Sequence, residues 1–257
     1  MTGFSADWLA LRAPADAAAR DEGLLGDAAA IAGEGLIADI GGGTGATFRA
    51  LSPLAPKATW RVLDADGALL AQLPRDERIS GVEVNLSSDL SPIFEGEPRL
   101  VTASAFFDLA SRDWIDAFAA RLAASGAALY AALTYDGRQA WEPRPPGEDG
   151  ALSLFHEDMR RDKGFGPALG PGAHAALVDA LRRRGYEVSE AESDWRLTSP
   201  DFGELIEALA QGGGDALESQ LPYRICQDWI DSRKAASCVL VGHMDLLATP
   251  PAPNSGA

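Results

Sequence analysis

Nine residues, Ile37-Ala38-Asp39-Ile40-Gly41-Gly42-Gly43-Thr44-Gly45, constrain this chain more than any other stretch. An apolar run reaches an acid and then glycines at alternate positions (Gly41, Gly43, Gly45), and a helix-forming segment from Ala46 to Leu51 follows at once. The pattern reads as a buried strand turned sharply into a helix. Backbone that turns so tightly leaves no room for Cβ atoms and points bare N–H groups at whatever lies against it. Such an elbow fits a nucleotide-like ligand.

Two ligand classes compete for the elbow. A dinucleotide fingerprint, G-x-G-x-x-G/A, is satisfied by Gly41, Gly43 and Ala46. The stretch also resembles the first motif, D/E-x-G-x-G-x-G, of the class I (Rossmann-like) S-adenosylmethionine (SAM) methyltransferases, matched at every position by Asp39, Gly41, Gly43 and Gly45. Asp39 favours the second class. A dinucleotide would bring its pyrophosphate to this turn, where a carboxylate repels it. SAM has no phosphate and carries a sulfonium and an α-ammonium. The resemblance implies that Asp39, Gly41, Gly43, Thr44 and Gly45 hold its methionine part.

Later segments fall in the order such a fold requires. Thr59 to Leu63 is β-prone and ends at Asp64, 19 residues past Gly45. An acid at the tip of a second strand can accept hydrogen bonds from both ribose hydroxyls. A dehydrogenase predicts the same acid, so Asp64 supports a nucleoside without separating the two classes. Ile79 to Leu86 predicts a third strand, followed by Ser87-Ser88-Asp89-Leu90. In the family an acid and an apolar residue hold adenine here, which the resemblance assigns to Asp89 and Leu90; an ordinary polar turn is the alternative. Arg99 to Leu109 resembles the family's fourth strand and its loop, placing Ala103 and Ser104 on the sulfur side. Where the family pattern has histidine, this chain has Asp108, an acid of unassigned purpose.

The resemblance carries motifs over roughly residues 36–134 and only a pattern of elements over about 171–247. That pattern is a fifth strand from Ala127 to Thr134, a helix over 171–184 entered through Pro171 and closed by Gly185, a sixth strand from Tyr186 to Ala191 continued by Trp195-Arg196-Leu197, and an apolar seventh from Ser237 to Leu247. The implied fold is α/β: a three-layer, doubly wound, seven-stranded, mostly parallel sheet with an antiparallel last strand, plus an N-terminal helical cap and a helical insertion. The expected division is an arm over 1–35, a methyltransferase domain over 36–248 with a lid-like insertion at about 135–170, and a disordered tail over 249–257.

A chain of 257 residues with 46% hydrophobic content can bury one substantial core. Its formal net charge of −16 repels phosphate backbones and anionic membranes, which turns the reading towards a small-molecule substrate, with no nucleic acid and no membrane partner. Arg182-Arg183-Arg184, the longest cationic run, falls at a predicted helix C-terminus, where the helix dipole favours it. Cys226 and Cys238 form no Cys-x-x-Cys pair, so no metal is expected. With no apolar leader and no run of about 20 apolar residues, the expectation is a soluble cytoplasmic monomer or homodimer. The Ala, Arg and Gly content resembles that of a GC-rich bacterial gene.

Segments outside the core pattern would close over the carboxyl edge of the sheet, where such sheets bind ligands. In the arm, Pro14 is expected to open an Ala-rich helix through about Ile31. Arg12, Asp16 and Arg20 lie four apart: either a surface charge ladder or, for Arg20, a contact to a cofactor carboxylate or substrate acid. Tyr135-Asp136-Gly137-Arg138 reads as a strand-end loop, and a helix over 149–161 carrying His156 and Arg161 leads to Lys163 and a glycine-rich stretch. This cationic cluster reads as a lid over an anionic or carboxylated small molecule; charges paired with nearby acids are the alternative. Trp114 either shapes the pocket or packs in the core. His243, alone in an apolar strand, reads as a core residue, and His174 as exposed on its helix.

Methyl transfer from a sulfonium is an in-line displacement. It needs alignment and desolvation, and a general base only where the nucleophile arrives protonated. Tyr135, Asp136, Asp108 and His156 are the candidate bases. The expected function is a SAM-dependent methyltransferase that releases S-adenosylhomocysteine. An NAD(P)-dependent Rossmann oxidoreductase and a non-catalytic binding module of the same fold are its rivals.

Overall fold

The computed structural model describes residues 4–251. Strands β1 (Leu36–Ile40), β2 (Thr59–Asp64), β3 (Ile79–Glu83), β4 (Leu100–Ser104) and β5 (Ala128–Glu142) are followed by β6 (Glu187–Glu192), β7 (Trp195–Thr198) and β8 (Cys238–Thr249). The helices are α1 (Ala6–Ala19), α2 (Glu22–Ala32), α3 (Ala46–Leu51), α4 (Gly67–Leu70), α5 (Ser91–Phe94), α6 (Arg112–Ser125), α7 (Glu148–Met159), α8 (Ala173–Arg182), α9 (Gly203–Leu217) and α10 (Tyr223–Lys234). One sheet runs in the order β3-β2-β1-β4-β5-β8-β6, with β7 also paired to β8. Strands β1 to β5 pair parallel; β8 lies antiparallel between β5 and β6.

Both faces of the central strands β1, β4 and the first half of β5 are covered, which is why these strands are buried almost throughout, without alternation. Trp114, Ile115 and Phe118 of α6 and Leu177 and Leu181 of α8 pack on one face against Leu129 and Ala131. Leu24, Ala28 and Ala32 of α2 and Phe48 and Leu51 of α3 pack on the other, against Trp60, Tyr130 and Leu247. These are the expected three layers.

Beyond the parallel strands the sheet gains an upper storey. The fifth strand does not stop at Thr134: it kinks at Leu133 (φ +55°) and continues to Glu142 beside β8, with register shifts between Ala131 and Thr134 and between Tyr135 and Gln139. Tyr135, Asp136, Gly137 and Arg138 therefore stand within a bulged strand rather than a loop. The Asp136-Gly137 pair that signals a turn makes a β-bulge, with Gly137 at φ +95°. On its other side β8 pairs with β6 along its second half and β7 along its first. Helices α1 and α9 cover this storey through Ala15, Leu205 and Ala210, which pack on Tyr135, Trp141, Trp195 and Val239.

The N-terminal arm is two helices where one was expected. Ser5 caps α1 by accepting from the Trp8 N–H, Pro14 lies inside α1 instead of opening it, and the chain breaks at Arg20 before Asp21 caps α2. The last strand also outruns its expected end: Thr249 pairs with Glu187, so the first residue of the predicted tail belongs to the sheet. Residues 252–257 of that tail lie outside the described residues. Among the described residues no helix is long and apolar enough to cross a membrane.

Candidate active site

The elbow between β1 and α3 is built as its glycines require. Gly41, Gly43 and Gly45 have φ of +61°, +53° and +83°, values that L side chains seldom adopt. Asp39, fully buried beneath the turn, accepts the Thr102 hydroxyl of β4 on Oδ1 at 2.7 Å. Its Oδ2 is buried without a partner. Burial pushes its pKa up to about 6, against the opposing pull of the Thr102 hydroxyl, the Arg20 charge and the Thr47 hydroxyl. Arg20 projects from the end of α1 over the tip of β4, where Nη2 donates to Ser104 Oγ at 2.8 Å; its Nη1 is buried and unpartnered. An unmatched acceptor and an unmatched donor thus share one corner of the sheet's carboxyl edge.

Asp64 closes the neighbouring strand. Its Oδ2 accepts the Gly43 N–H at 2.9 Å, and Oδ1 accepts the Asp66 N–H at 3.0 Å. Two apolar side chains cover the turn, Phe106 against Gly41 and Leu9 of α1 against Gly43. Asp89 is exposed, and one of its oxygens accepts the Ser91 N–H at 2.8 Å; that bond holds its carboxyl below the ordinary value. The local geometry is that of a polar turn starting α5, with Leu90 half-buried beside it. Ala103 is buried within the sheet core, so of the two β4 residues it is Ser104 that reaches the edge.

The upper storey forms a roof. Tyr135 and His156, 21 residues apart in sequence, meet at 2.9 Å between the hydroxyl and Nε2. Gln139 Nε2 donates to the same hydroxyl at 3.0 Å. Behind Gln139, the Arg233 guanidinium lies between the rings of Trp141 and Trp229 and pairs with the buried Glu148. Burial holds the Tyr135 hydroxyl well above the ordinary phenol range, and burial with the Arg160 charge holds His156 below the ordinary imidazole value. Below the roof, Asp108 lies on the turn after β4. Its Oδ1 is buried and unpartnered, while the residue as a whole keeps some contact with solvent. Burial pushes its pKa up to about 6, with Arg12 pulling the other way. Two non-glycine residues with positive φ, Ala105 (+49°) and Leu133 (+55°), sit at the adjacent ends of β4 and the parallel part of β5. Such strain gathers where a fold holds side chains to a task.

Several expected residues have other work. Asp136 accepts from both the N–H and Nε of Arg138, which also pairs with Asp194, so it belongs to a charge cluster and not to the Tyr135 group. Arg161 and Lys163 both pair with Asp158, at 3.0 and 3.4 Å: the charges of the predicted lid are matched locally. Its Phe165 instead plugs into Phe106 and Trp114. Trp114 is a core residue, stacked on Phe118 with its indole N–H given to the Leu86 carbonyl at 2.8 Å. Arg12 and Asp16 are no surface ladder; the pair is buried, and Asp16 also accepts the Trp195 indole N–H. His174 is buried, not exposed, and contacts Glu190 at 2.9 Å. His243 is the packed residue expected, its pKa held down to about 3 by burial. Among the described residues no group of His, Cys, Asp and Glu is placed to hold a metal ion.

Thr102, Phe106, Leu9, Gln139, Arg233 and Asp245 were not readable as site residues. Asp245 had a signal: a lone acid in an apolar strand must find partners. The others owe their places to contacts distant in sequence.

No family model matches this chain, and no curated protein matches it in sequence. Its fold does have solved counterparts. A cyclopropane-fatty-acyl-phospholipid synthase-like protein from Lactobacillus casei is 14% identical over 95% of this chain and 94% of its own, with a TM-score of 0.57. The cyclopropane synthase MmaA2 from Mycobacterium tuberculosis is 13% identical over 96% and 95%, with a TM-score of 0.54. A geranyl diphosphate methyltransferase solved with SAM is 13% identical over 98% and 93%, with a TM-score of 0.50. The fold is the Rossmann-like fold of the class I SAM-dependent methyltransferases.

Proposed function

We propose that this protein is a SAM-dependent methyltransferase acting on a small-molecule acceptor. One observation carries the reading: beside the glycine elbow, Asp39 Oδ2 and Arg20 Nη1 are both buried and both without partners. An α-amino-acid zwitterion satisfies the two together, its ammonium at Asp39 and its carboxylate at Arg20. A pyrophosphate would meet the Asp39 charge instead. In this reading Gly41, Gly43, Thr44 and Gly45 line the amino-acid end, Asp64 takes the ribose, Asp89 and Leu90 flank the adenine, and Ser104, with Ala103 behind it, borders the sulfur. Bound SAM supplies a methyl group on a cationic sulfur.

The remaining residues bind, orient and keep water out. Helix α1 acts as the cap, with Leu9 and Arg20 on its inner side. The roof of Tyr135 and His156 covers the acceptor, and Asp108 stands beside it. Anionic acceptors were suggested by Arg161 and Lys163; the pairing of both with Asp158 withdraws that support. The formal charge of −16 keeps nucleic acids and anionic membranes outside the proposed acceptors, and the reading is of a cytoplasmic enzyme. Calorimetric titration with SAM, S-adenosylhomocysteine and NAD(H) tests the assignment. Binding of the first two is expected; binding of NAD(H) without SAM would overturn it in favour of an oxidoreductase.

A further inference from the structure

The hydrogen bonds around Tyr135 constrain where its proton can lie. Gln139 Oε1 receives Arg233 Nη2 at 2.9 Å and Trp141 Nε1 at 3.2 Å. Both are donor-only groups, so the atom between them is the amide oxygen, and the amide nitrogen is the one that faces Tyr135. That nitrogen donates to the Tyr135 hydroxyl, occupying one of its two lone pairs. Of its two partners only His156 Nε2 can accept, so the arrangement that gives the hydroxyl proton an acceptor within this group sends it there. A ring nitrogen that accepts a proton carries none, so neutral His156 holds its hydrogen on Nδ1. One lone pair of Tyr135 is left over.

The support behind Gln139 is rigid. Arg233 is 3% exposed, stacked 4.1 Å from the Trp141 ring and 4.0 Å from the Trp229 ring, with its charge matched by Glu148. The bulge between Tyr135 and Gln139 sets the aim of both side chains.

We infer that Gln139, braced by Arg233, is a positioning residue that sets the direction of proton transfer at Tyr135, and that the site takes an acceptor whose nucleophile arrives protonated, an alcohol, phenol or ammonium rather than a carboxylate. The inference rests on the methyltransferase reading above. As the bond from the acceptor's oxygen or nitrogen to the methyl carbon forms, the methyl–sulfur bond breaks and leaves its electron pair on sulfur. The acceptor's proton passes to the free lone pair of Tyr135, and Tyr135 passes its own proton to His156 Nε2. Tyrosine ends neutral, and the imidazolium discharges to solvent at the half-exposed edge of His156.

The test has a readout independent of turnover. In protein labelled with 15N-histidine, His156 is expected in the Nδ1–H form, with Nε2 at the shift of an unprotonated acceptor; a His156→Asn variant assigns the signal among the three histidines. In Gln139→Glu the new carboxylate still pairs with Arg233 but accepts the Tyr135 proton, so the Nε2 signal should move. That variant should keep SAM affinity by calorimetry, yet transfer label from methyl-labelled SAM to a panel of primary amines, phenols, alcohols and carboxylic acids about a hundredfold or more slowly, within the range general-base catalysis supplies. An Nε2–H tautomer in the wild type overturns the inference, as does an unmoved signal in the variant or label in a methyl ester. If Gln139→Glu fails to fold, the wild-type tautomer decides alone. A wild type that binds no SAM would remove the functional reading, while the tautomer still reports on the proton direction separately.

Discussion

Asp39 and Thr102 share a hydrogen bond of 2.7 Å inside the sheet, and the second Asp39 oxygen is buried without a hydrogen-bond partner. A carboxylate kept dry and half-satisfied costs stability, and the cost depends on pH. The folded-state pKa of about 6 lies above the ordinary 3.8. Between these values the folded protein binds more protons than the unfolded chain, so stability falls as pH rises through that window. Two units of difference correspond to about 2–3 kcal/mol. Asp39→Asn should therefore show a higher urea midpoint than the wild type at pH 8, with the gap roughly halved at pH 5 and closing only as the pH falls below the unfolded value of 3.8. Asp108, also raised to about 6, is present in both proteins and cancels in the difference. SAM affinity should fall in the variant, and in the wild type it should weaken below pH 6 as Asp39 protonates. Identical denaturation curves for both proteins at both pH values would refute this account.

The elbow itself leaves no room for side chains. A Cβ at Gly42 would sit 2.5 Å from Asp39 Oδ2 and 2.5 Å from Val62 Cγ1, inside any tolerable contact. Gly42→Ala should lower stability by roughly 1–3 kcal/mol through overpacking. It should also abolish measurable SAM binding, because the displaced atom is the Asp39 oxygen proposed to meet the ammonium. Thermal unfolding and calorimetry on one sample check both halves. A variant that binds SAM normally would mean that the ligand does not use this oxygen.

How far the sequence carried the fold follows from which signals are local. The Ile37–Gly45 elbow was legible because positive φ at alternate glycines is a property of the residues themselves. The strand end at Asp64 was legible because the apolar run stops there. Asp136-Gly137 misled, since the same dipeptide that makes a turn also makes a bulge when a partner strand continues past it. The α1–α2 break at Arg20 has no Pro or Gly to announce it; it exists because Arg20 reaches Ser104 and the Asp21 N–H reaches Asp245. Tyr135 and His156 were separate candidates that the fold brings together. Gln139, Arg233 and Glu148 were invisible, since Glu148 and Arg233 stand 85 residues apart and only the tertiary fold unites them.

Asp245 pins the site from below. Its buried carboxylate accepts the Leu133 N–H at 2.8 Å, the Tyr130 hydroxyl at 3.1 Å and the Asp21 N–H at 3.1 Å. It thereby ties the β5 kink to the start of α2. Asp245→Ala leaves two buried donors and one part-buried donor unmatched, the buried ones each worth about 1–3 kcal/mol, and should cost about 3–5 kcal/mol in all after relaxation. Asp245→Asn should cost less, since one oxygen survives. Urea denaturation of the two variants checks the order; a loss below about 1 kcal/mol in Asp245→Ala would show that water or a shifted backbone replaces the pin.

Arg20 and Asp64 should separate the two ends of the proposed ligand. Arg20 offers an unpartnered Nη1 at the corner of Asp39 and Ser104, whereas Asp64 stands at the tip of β2 and holds the Gly43 N–H. Arg20→Gln should weaken SAM by about 1.5–3 kcal/mol, the scale of a charged hydrogen bond. It should leave 5′-methylthioadenosine unaffected, because that probe keeps the nucleoside and the sulfur but lacks the amino-acid end. Asp64→Ala should weaken both, since the ribose is common to them and the elbow also loses its brace at Gly43. Calorimetry with the two ligands on the two variants gives four affinities. Equal losses of SAM and 5′-methylthioadenosine in Arg20→Gln would move Arg20 away from the carboxylate and return it to a structural role beside Ser104.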